Sequence, residues 1–420
     1  MNSKAVLLYG KMDIRMETIE LPQIKDDEIL VKVVADSLCM SSYKAAYLGA
    51  DHKRVPDDVA NNPIILGHEL SGEIVEIGES WKSKYTVGEK FTIQPAINYK
   101  GSMDSPGYSY SYCGGDATYA ILPPEVMIQD CLLPFKGEGY FTAALSEPYS
   151  CVIGALRSLY RTDKVSHNHY LGIKEGGRLA IIGGCGPMGL AAIDYAISGE
   201  FRPRQLVVTD IDSVKLKRAQ ELFGATAEQR GISLVCINTG ELEDPKRSIM
   251  ALTENEGFDD MLVMVANTQV LEFSESIMGV NGCMNFFAGP TDENLKAKVN
   301  FYEVHYTDKH IIGTSGGTVD DMREALELMA KGLMNPAAIV SHIGGLDAVA
   351  ESTKNLPKIP GGKKLIYTGI KLPLISLEEI MKNESDSPLL QGLALLVEKH
   401  NGLWSLEAEN YLLKNGEAIA

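Results

Sequence analysis

The chain lacks any run of about 18 apolar residues, the length that a bilayer-spanning helix needs, so no membrane segment is expected. It lacks a basic excess as well: Lys+Arg 39 against Asp+Glu 56 leaves a formal net charge of −17. An overall positive footprint for nucleic acid is excluded, and an anionic substrate would need a local basic pocket. Cysteine is sparse, 7 in 420 residues, odd in number and scattered. That excludes a disulfide-stapled miniature and points to a reducing compartment. Repeats, low-complexity tracts and blocks of like charge are missing too. The first twenty residues carry Lys4, Asp13, Arg15 and Glu17 through a strand-like pattern instead of a signal peptide's apolar core. The expectation is a cytoplasmic protein of two or three domains, and its 45% hydrophobic content is ordinary for a globular chain.

What is present changes texture along the chain. Up to about residue 125 it reads as β-rich, with Ile29, Val31 and Val33 alternating with Leu30, Lys32 and Val34, and a glycine-bounded strand from Gly72 to Gly78. The Gly/Ser/Tyr-rich stretch from Lys100 to Gly115 reads as a long excursion over the surface. After Tyr149, apolar runs at 178–182, 206–209, 234–237, 261–266 and 283–288 alternate with helical patterns at 190–198 and 214–223. That alternation predicts a parallel sheet covered by helices. A helix opens at Asp320-Asp321, a last strand is expected at Lys363–Tyr367, and the final fifty residues read as a mostly helical appendage.

Gly184, Gly186 and Gly189, with Cys185, Pro187 and Met188 between them, spell G-x-G-x-x-G directly after one predicted strand and at the opening of a helix. The first glycine allows the tight turn, the second lets a pyrophosphate approach the backbone, and the third lets helix pack on strand. The phosphates then meet the helix N-terminus. The next strand ends in Asp210, where a carboxylate would accept hydrogen bonds from an adenosine ribose. Its charge favours NAD over NADP, although Lys215, Lys217 and Arg218 on the following helix could offset it in part.

His68 and Glu69 sit in a glycine-flanked turn, Cys39 lies at the end of a strand, and Glu147 lies in Leu145-Ser-Glu-Pro-Tyr149. Thiolate, imidazole and carboxylate are donors that a catalytic zinc accepts while one position stays open. These segments, with Val87–Lys90, Gly114–Pro123, Glu147-Pro148 and the nucleotide turn in the same order, resemble the zinc-dependent medium-chain dehydrogenases over about residues 4–368. The Glu-Pro element looks like the sorbitol dehydrogenase branch. Within it, Asp36–Val55, the Tyr108-rich excursion and Asn401–Trp404 look most like the L-sorbose 1-phosphate reductases.

The resemblance implies a GroES-like catalytic domain over 1–156 and 317–370, a Rossmann NAD(P)-binding domain over 157–316, and a helical extension over 371–420. It implies a homodimer or homotetramer, and zinc held by Cys39, His68 and Glu147, with Glu69 either ligating transiently or hydrogen-bonding behind the ligands. Relatives with a second, structural zinc hold it by four cysteines, of which this chain has only Cys113, so one zinc per subunit is expected. Ser42 stands where the family often has Asp, which puts a supporting contact in doubt. Ser41 matches the family's proton-relay hydroxyl. Lys44 is read as the next relay group, a solvated charge or a cofactor contact.

His52, Lys53 and Arg54 form a compact basic cluster that either holds a substrate phosphate or is simply a solvated loop, and Lys100, Tyr99, Tyr108, Tyr110 and Tyr112 could line the same mouth. The expected reaction is hydride transfer between NAD(P)(H) and a polyol or ketose phosphate, L-sorbose 1-phosphate to D-glucitol 6-phosphate in the first instance. The alternatives are a dehydrogenase of an unphosphorylated polyol or secondary alcohol, and a nucleotide-binding protein of the same fold without catalysis.

Overall fold

Strand Ile29–Leu38 organises the first half of the chain. Only Lys32 along it is exposed, because both faces and both edges are covered. On one edge it pairs antiparallel with Ser71–Ile77. Its other edge is shared: Tyr119–Leu122 pairs with Ile29–Lys32, and Lys363–Tyr367 pairs with Ala35–Leu38. Below it Ile29, Val31 and Val33 join Leu70, Ile74, Phe91 and Leu122 in one core. Each such side chain stabilises the fold by about 1.5–3 kcal/mol relative to exposure. This computed structural model describes residues 1–382 and 384–419.

Two units result. The first comprises Met1–Glu147, Thr318–Ala330 and Pro336–Ala420, and the second comprises Pro148–Gly317 and Lys331–Asn335. The architecture is a β-rich GroES-like unit and a Rossmann unit. The C-terminal segment, read from sequence as an appendage, is built into the first unit. Helices Leu377–Lys382, Pro388–Lys399 and Leu406–Asn415 carry the chain back until Glu417–Ala418 pairs antiparallel with Ile370–Lys371. Leu393, Val397, Trp404 and Leu412 along it are all buried.

The second unit is a six-stranded parallel sheet in the order Ser233–Asn238, Gln205–Asp210, Arg178–Ile182, Phe258–Val263, Met278–Phe286, His310–Gly313. This is a doubly wound order whose topological switch falls between Arg178–Ile182 and Phe258–Val263. Arg178–Ile182 and Lys363–Tyr367 are strands over the residues expected. Phe258–Val263 starts three residues earlier than the apolar run at 261–266. Asp260 pairs with Leu179 and Cys283 in the ladder, and the two acids are tolerated in the strand because their carboxylates accept the backbone N–H groups of Arg178 and Lys174. The edge strand His310–Gly313 was not foreseen. It is short and only half covered, so it lacks a long apolar signature.

Candidate functional site

Sheet register brings three sequence-distant segments together. Lys364 pairs with Leu38, which sets Lys363 beside Cys39, the residue between strand Ile29–Leu38 and helix Met40–Leu48. Ser71 pairs with Ala35, which carries the preceding His68-Glu69 turn to the same end of the sheet. One donor atom each of Cys39, His68 and Glu69 falls within 4.8 Å of the others.

The turn before Ser71 is held from behind. Gly67 has φ +87°, and a Cβ there would lie 2.0 Å from Asp36 Oδ2 and 2.5 Å from Asp116 N, so only glycine fits. Asp36 Oδ1 accepts the Glu69 N–H at 2.9 Å. Burial, then mutual repulsion, pushes the Asp36 carboxyl well above the usual carboxylate range, and burial lifts Asp116 from 3.8 to about 7. The pair therefore keeps a proton near neutral pH and avoids two bare charges behind the imidazole.

Ser42 Oγ lies 3.3 Å from His68 Nδ1, so the contact doubted from the sequence is made by a hydroxyl. Ser41 Oγ donates to Cys39 Sγ at 3.0 Å and lies 3.3 Å from His68 Nε2. Glu147, at the start of helix Ser146–Arg157, is buried beside them. Burial first, then the Glu69 carboxylate, raise it to about 8, with His68 and Lys363 opposing. Its oxygens fall outside the tight set of three donors.

Lys363 was not recognised from the sequence as part of the site. It is buried and ion-paired with Glu69 Oε1, while Glu69 Oε2 is buried with no hydrogen-bond partner among the described residues. Burial pulls the Lys363 ammonium down, but the surrounding Cys39, Glu69 and Glu147 outweigh it and keep it charged. One cation thus faces three groups that can be anionic. That surplus, with a thiol, an imidazole and an unpaired carboxylate oxygen converging, fits a divalent zinc ion.

The stretch from Lys100 to Gly115 corrects the reading of a surface excursion. Ser105, Tyr108 and Cys113 along it are almost wholly buried, and the Tyr108 hydroxyl lies 3.4 Å from His68 Nε2. The His52 ring stacks on Tyr108 at 5.7 Å and the Arg54 guanidinium lies 5.4 Å over the same ring. Ser109 Oγ donates to the Arg54 carbonyl at 2.7 Å, and Arg54 Nε is buried without a partner among the described residues. Burial and then the charges of Arg54, Lys53 and Lys44 depress the His52 imidazole, so Lys44 belongs electrostatically to this cluster. The other tyrosines do not gather there. Lys100 covers Tyr99, Tyr110 packs on the core, and Tyr112 is exposed. Nothing in the sequence pattern singled out Tyr108 among them.

In the second unit the glycine turn links strand Arg178–Ile182 to helix Pro187–Ser198, with Gly186 at the N-cap. A Cβ on Gly189 would sit 2.2 Å from the Gly184 carbonyl oxygen, so this glycine serves packing. A Cβ on Gly186 would meet nothing within 4 Å, so the fold itself does not demand glycine there. Gly186, Pro187, Met188 and Gly189 line a cavity of about 360 Å³. A second cavity of about 1040 Å³ is lined by Asp210, Asp212, Lys215, Glu241, Val265 and Phe273. Asp210 Oδ2 accepts the Cys185 N–H at 3.0 Å, tying the acid to the turn. Lys215 pairs with Asp212 at 3.4 Å, while exposed Lys217 faces Glu221. Open space at a cavity-lining glycine, beside a helix N-terminus, fits a dinucleotide.

Residues 25–132 match the alcohol dehydrogenase GroES-like domain and residues 187–331 match the zinc-binding dehydrogenase family. The chain belongs to the zinc-dependent medium-chain alcohol and polyol dehydrogenases. It is 47% identical over 415 residues to L-sorbose 1-phosphate reductase of Klebsiella pneumoniae, covering 99% of this chain and 98% of that one. It is 46% identical over 411 residues to mannitol-1-phosphate 5-dehydrogenase of Aliivibrio fischeri, covering 98% and 97%. The fold is similar to that of 2R,3R-butanediol dehydrogenase from Bacillus subtilis, with TM-score 0.70 and 23% identity over 87% of this chain and 99% of that one. No helix among the described residues is long and apolar enough to cross a membrane.

Proposed function

We propose that the chain interconverts a polyol phosphate and a ketose phosphate with NAD(H), and that its preferred reaction reduces L-sorbose 1-phosphate to D-glucitol 6-phosphate. One observation carries the reading: His52 and Arg54 are stacked on Tyr108, whose hydroxyl lies 3.4 Å from His68. A phosphate gripped by the forked guanidinium and Lys53 would thus sit one tyrosine away from the reacting oxygen. The names of these two relatives, both for phosphorylated substrates, support the same class.

In this reading Cys39 and His68 hold a single zinc, with Glu147 closing onto it from just outside the converging donors, while Glu69, ion-paired with Lys363 through Oε1, braces the imidazole turn or ligates in passing through its unpaired Oε2. Zinc bound there supplies a Lewis acid for an alcohol or ketone oxygen, and NAD(H) takes or gives the hydride. Ser41, half-buried between Cys39 Sγ and His68 Nε2, moves the proton to and from that oxygen, and Lys44 relays it toward solvent. Gly184, Gly186, Pro187, Met188 and Gly189 cradle the pyrophosphate. Among the described residues lining the larger cavity, Lys215 is the one cation against Asp210, Asp212 and Glu241, which speaks for NAD over NADP. The active form is a homodimer or homotetramer.

The test is a substrate panel on purified enzyme: L-sorbose 1-phosphate and D-fructose 6-phosphate with NADH or NADPH, and D-glucitol with NAD. L-sorbose 1-phosphate should lead, at least about a hundredfold above free D-glucitol in kcat/KM. Faster turnover of free D-glucitol overturns the reading. Lys53→Ala with Arg54→Ala should raise KM about tenfold or more for the phosphorylated substrate alone. Equal losses on both substrates would remove the cluster from the site.

A further inference from the structure

The C-terminal helices reach the metal centre through one carboxylate. Glu409, on helix Leu406–Asn415, is 1% exposed, and its direct bonds all come from neutral donors. Its Oε2 accepts the Tyr140 N–H at 2.7 Å, and its Oε1 accepts the Phe141 N–H at 2.8 Å and the Tyr367 hydroxyl at 2.9 Å. Each donor belongs to a segment that delivers a residue to the site. Tyr140 and Phe141 open helix Tyr140–Ala144, and one residue separates that helix from helix Ser146–Arg157, which carries Glu147. Tyr367 ends the strand that Lys363 begins. The third link runs through the same peptide: Ser71 Oγ donates to the Tyr140 carbonyl at 2.7 Å, and Ser71 follows His68-Glu69 closely in the chain. Trp404 Nε1 in turn donates to the Tyr367 hydroxyl at 2.7 Å, so that oxygen both accepts from the tail and donates to Glu409.

We infer that Glu409 is a positioning residue for the metal centre. Its carboxylate fixes the Glu147, Lys363 and His68-Glu69 segments relative to one another, and the C-terminal helix Leu406–Asn415 presents it. A buried carboxylate satisfied by three converging donors is a rigid joint, because losing it leaves all three donors unpaired away from water. The inference rests on the metal reading above.

The test measures zinc content of the purified enzyme and the rate at which a chromogenic chelator strips it, alongside melting of the zinc-free protein. Wild type should hold zinc. If it holds none, the metal reading fails and takes this inference with it. Glu409→Ala should release zinc about ten- to a hundredfold faster, with NAD(H) affinity unchanged. Leu393→Ala, an equally buried apolar truncation on a neighbouring tail helix, serves as the stability control. It should lower melting without speeding release. Should Glu409→Ala leave too little folded protein, Tyr367→Phe removes one hydroxyl, the donor to Glu409 and the acceptor of the Trp404 N–H, and should still speed release about three- to tenfold. Zinc release at the wild-type rate from whichever Glu409 or Tyr367 variant folds overturns the inference. So does release from Leu393→Ala that matches theirs.

Discussion

From Arg178 to Lys215 the proposed nucleotide site is laid down in a single pass: strand, glycine turn, helix, strand, acid. The proposed metal centre takes Asp36 to Ser42, Gly67 to Glu69, Asp116, Glu147 and Lys363 from five separate stretches, joined by register and hydrogen bonds. A site built from one contiguous segment depends on local geometry and can be damaged without disturbing the rest of its unit. A site gathered from many segments depends on every element that holds them in register. Its donors also repel one another until a cation arrives.

The widest separation between the two should come from Cys39→Ser. Loss of the thiolate should strip zinc and lower kcat by at least about a thousandfold, while NADH binding, followed by fluorescence, stays within about twofold. NADH affinity that falls in step with zinc content would show the two sites to be coupled and break the comparison. Gly186→Val makes the converse cut. No native atom lies within 4 Å of the added Cβ, so stability should fall by no more than the roughly 0.5–2 kcal/mol of a poorer N-cap while NAD(H) affinity drops about tenfold or more. Unchanged NAD(H) affinity would mean that no phosphate comes near this glycine.

A smaller effect sharpens the metal-centre half. Asp116 is raised by burial from 3.8 to about 7 in the folded chain. Its stabilising protonated form is complete below the unfolded value and is lost as pH climbs through the folded one. Asn at this position mimics the protonated acid and titrates nowhere. The melting temperature of zinc-free Asp116→Asn relative to wild type should therefore move in the variant's favour between pH 5 and pH 8. Parallel curves across that range would show that Asp116 ionises freely.

The contiguous site was the legible one. Gly184, Gly186, Gly189 and Asp210 could be nominated from sequence because their spacing is set by one turn and one helix. In the metal centre, Cys39, His68 and Glu147 could be nominated from their chemistry and the order of their segments. Lys363 could not, since a lysine opening an apolar strand looks like a solvated end until pairing with Leu38 seats the strand against Cys39. Asp36 and Asp116 were hidden for a related reason. Buried acids read as surface charge, and only the glycine turn at Gly67 sets them face to face. Tyr108 was one tyrosine among several, and the stretch around it was misread as surface because short polar residues line most of it.

Composition, periodicity and motif order by themselves determined a Rossmann unit and a β-rich unit, a glycine turn of the dinucleotide pattern, and residue types with the chemistry to hold zinc. All of these are encoded within a few turns or strands of chain. Tertiary structure alone decided that Lys363 pairs with Glu69, that His52 and Arg54 lean on Tyr108, and that a carboxylate near the end of the chain ties three site segments together. Contacts between residues hundreds of positions apart leave no periodic trace. Which partners meet is settled by strand register and burial, and only there do a charge and its counter-charge find each other.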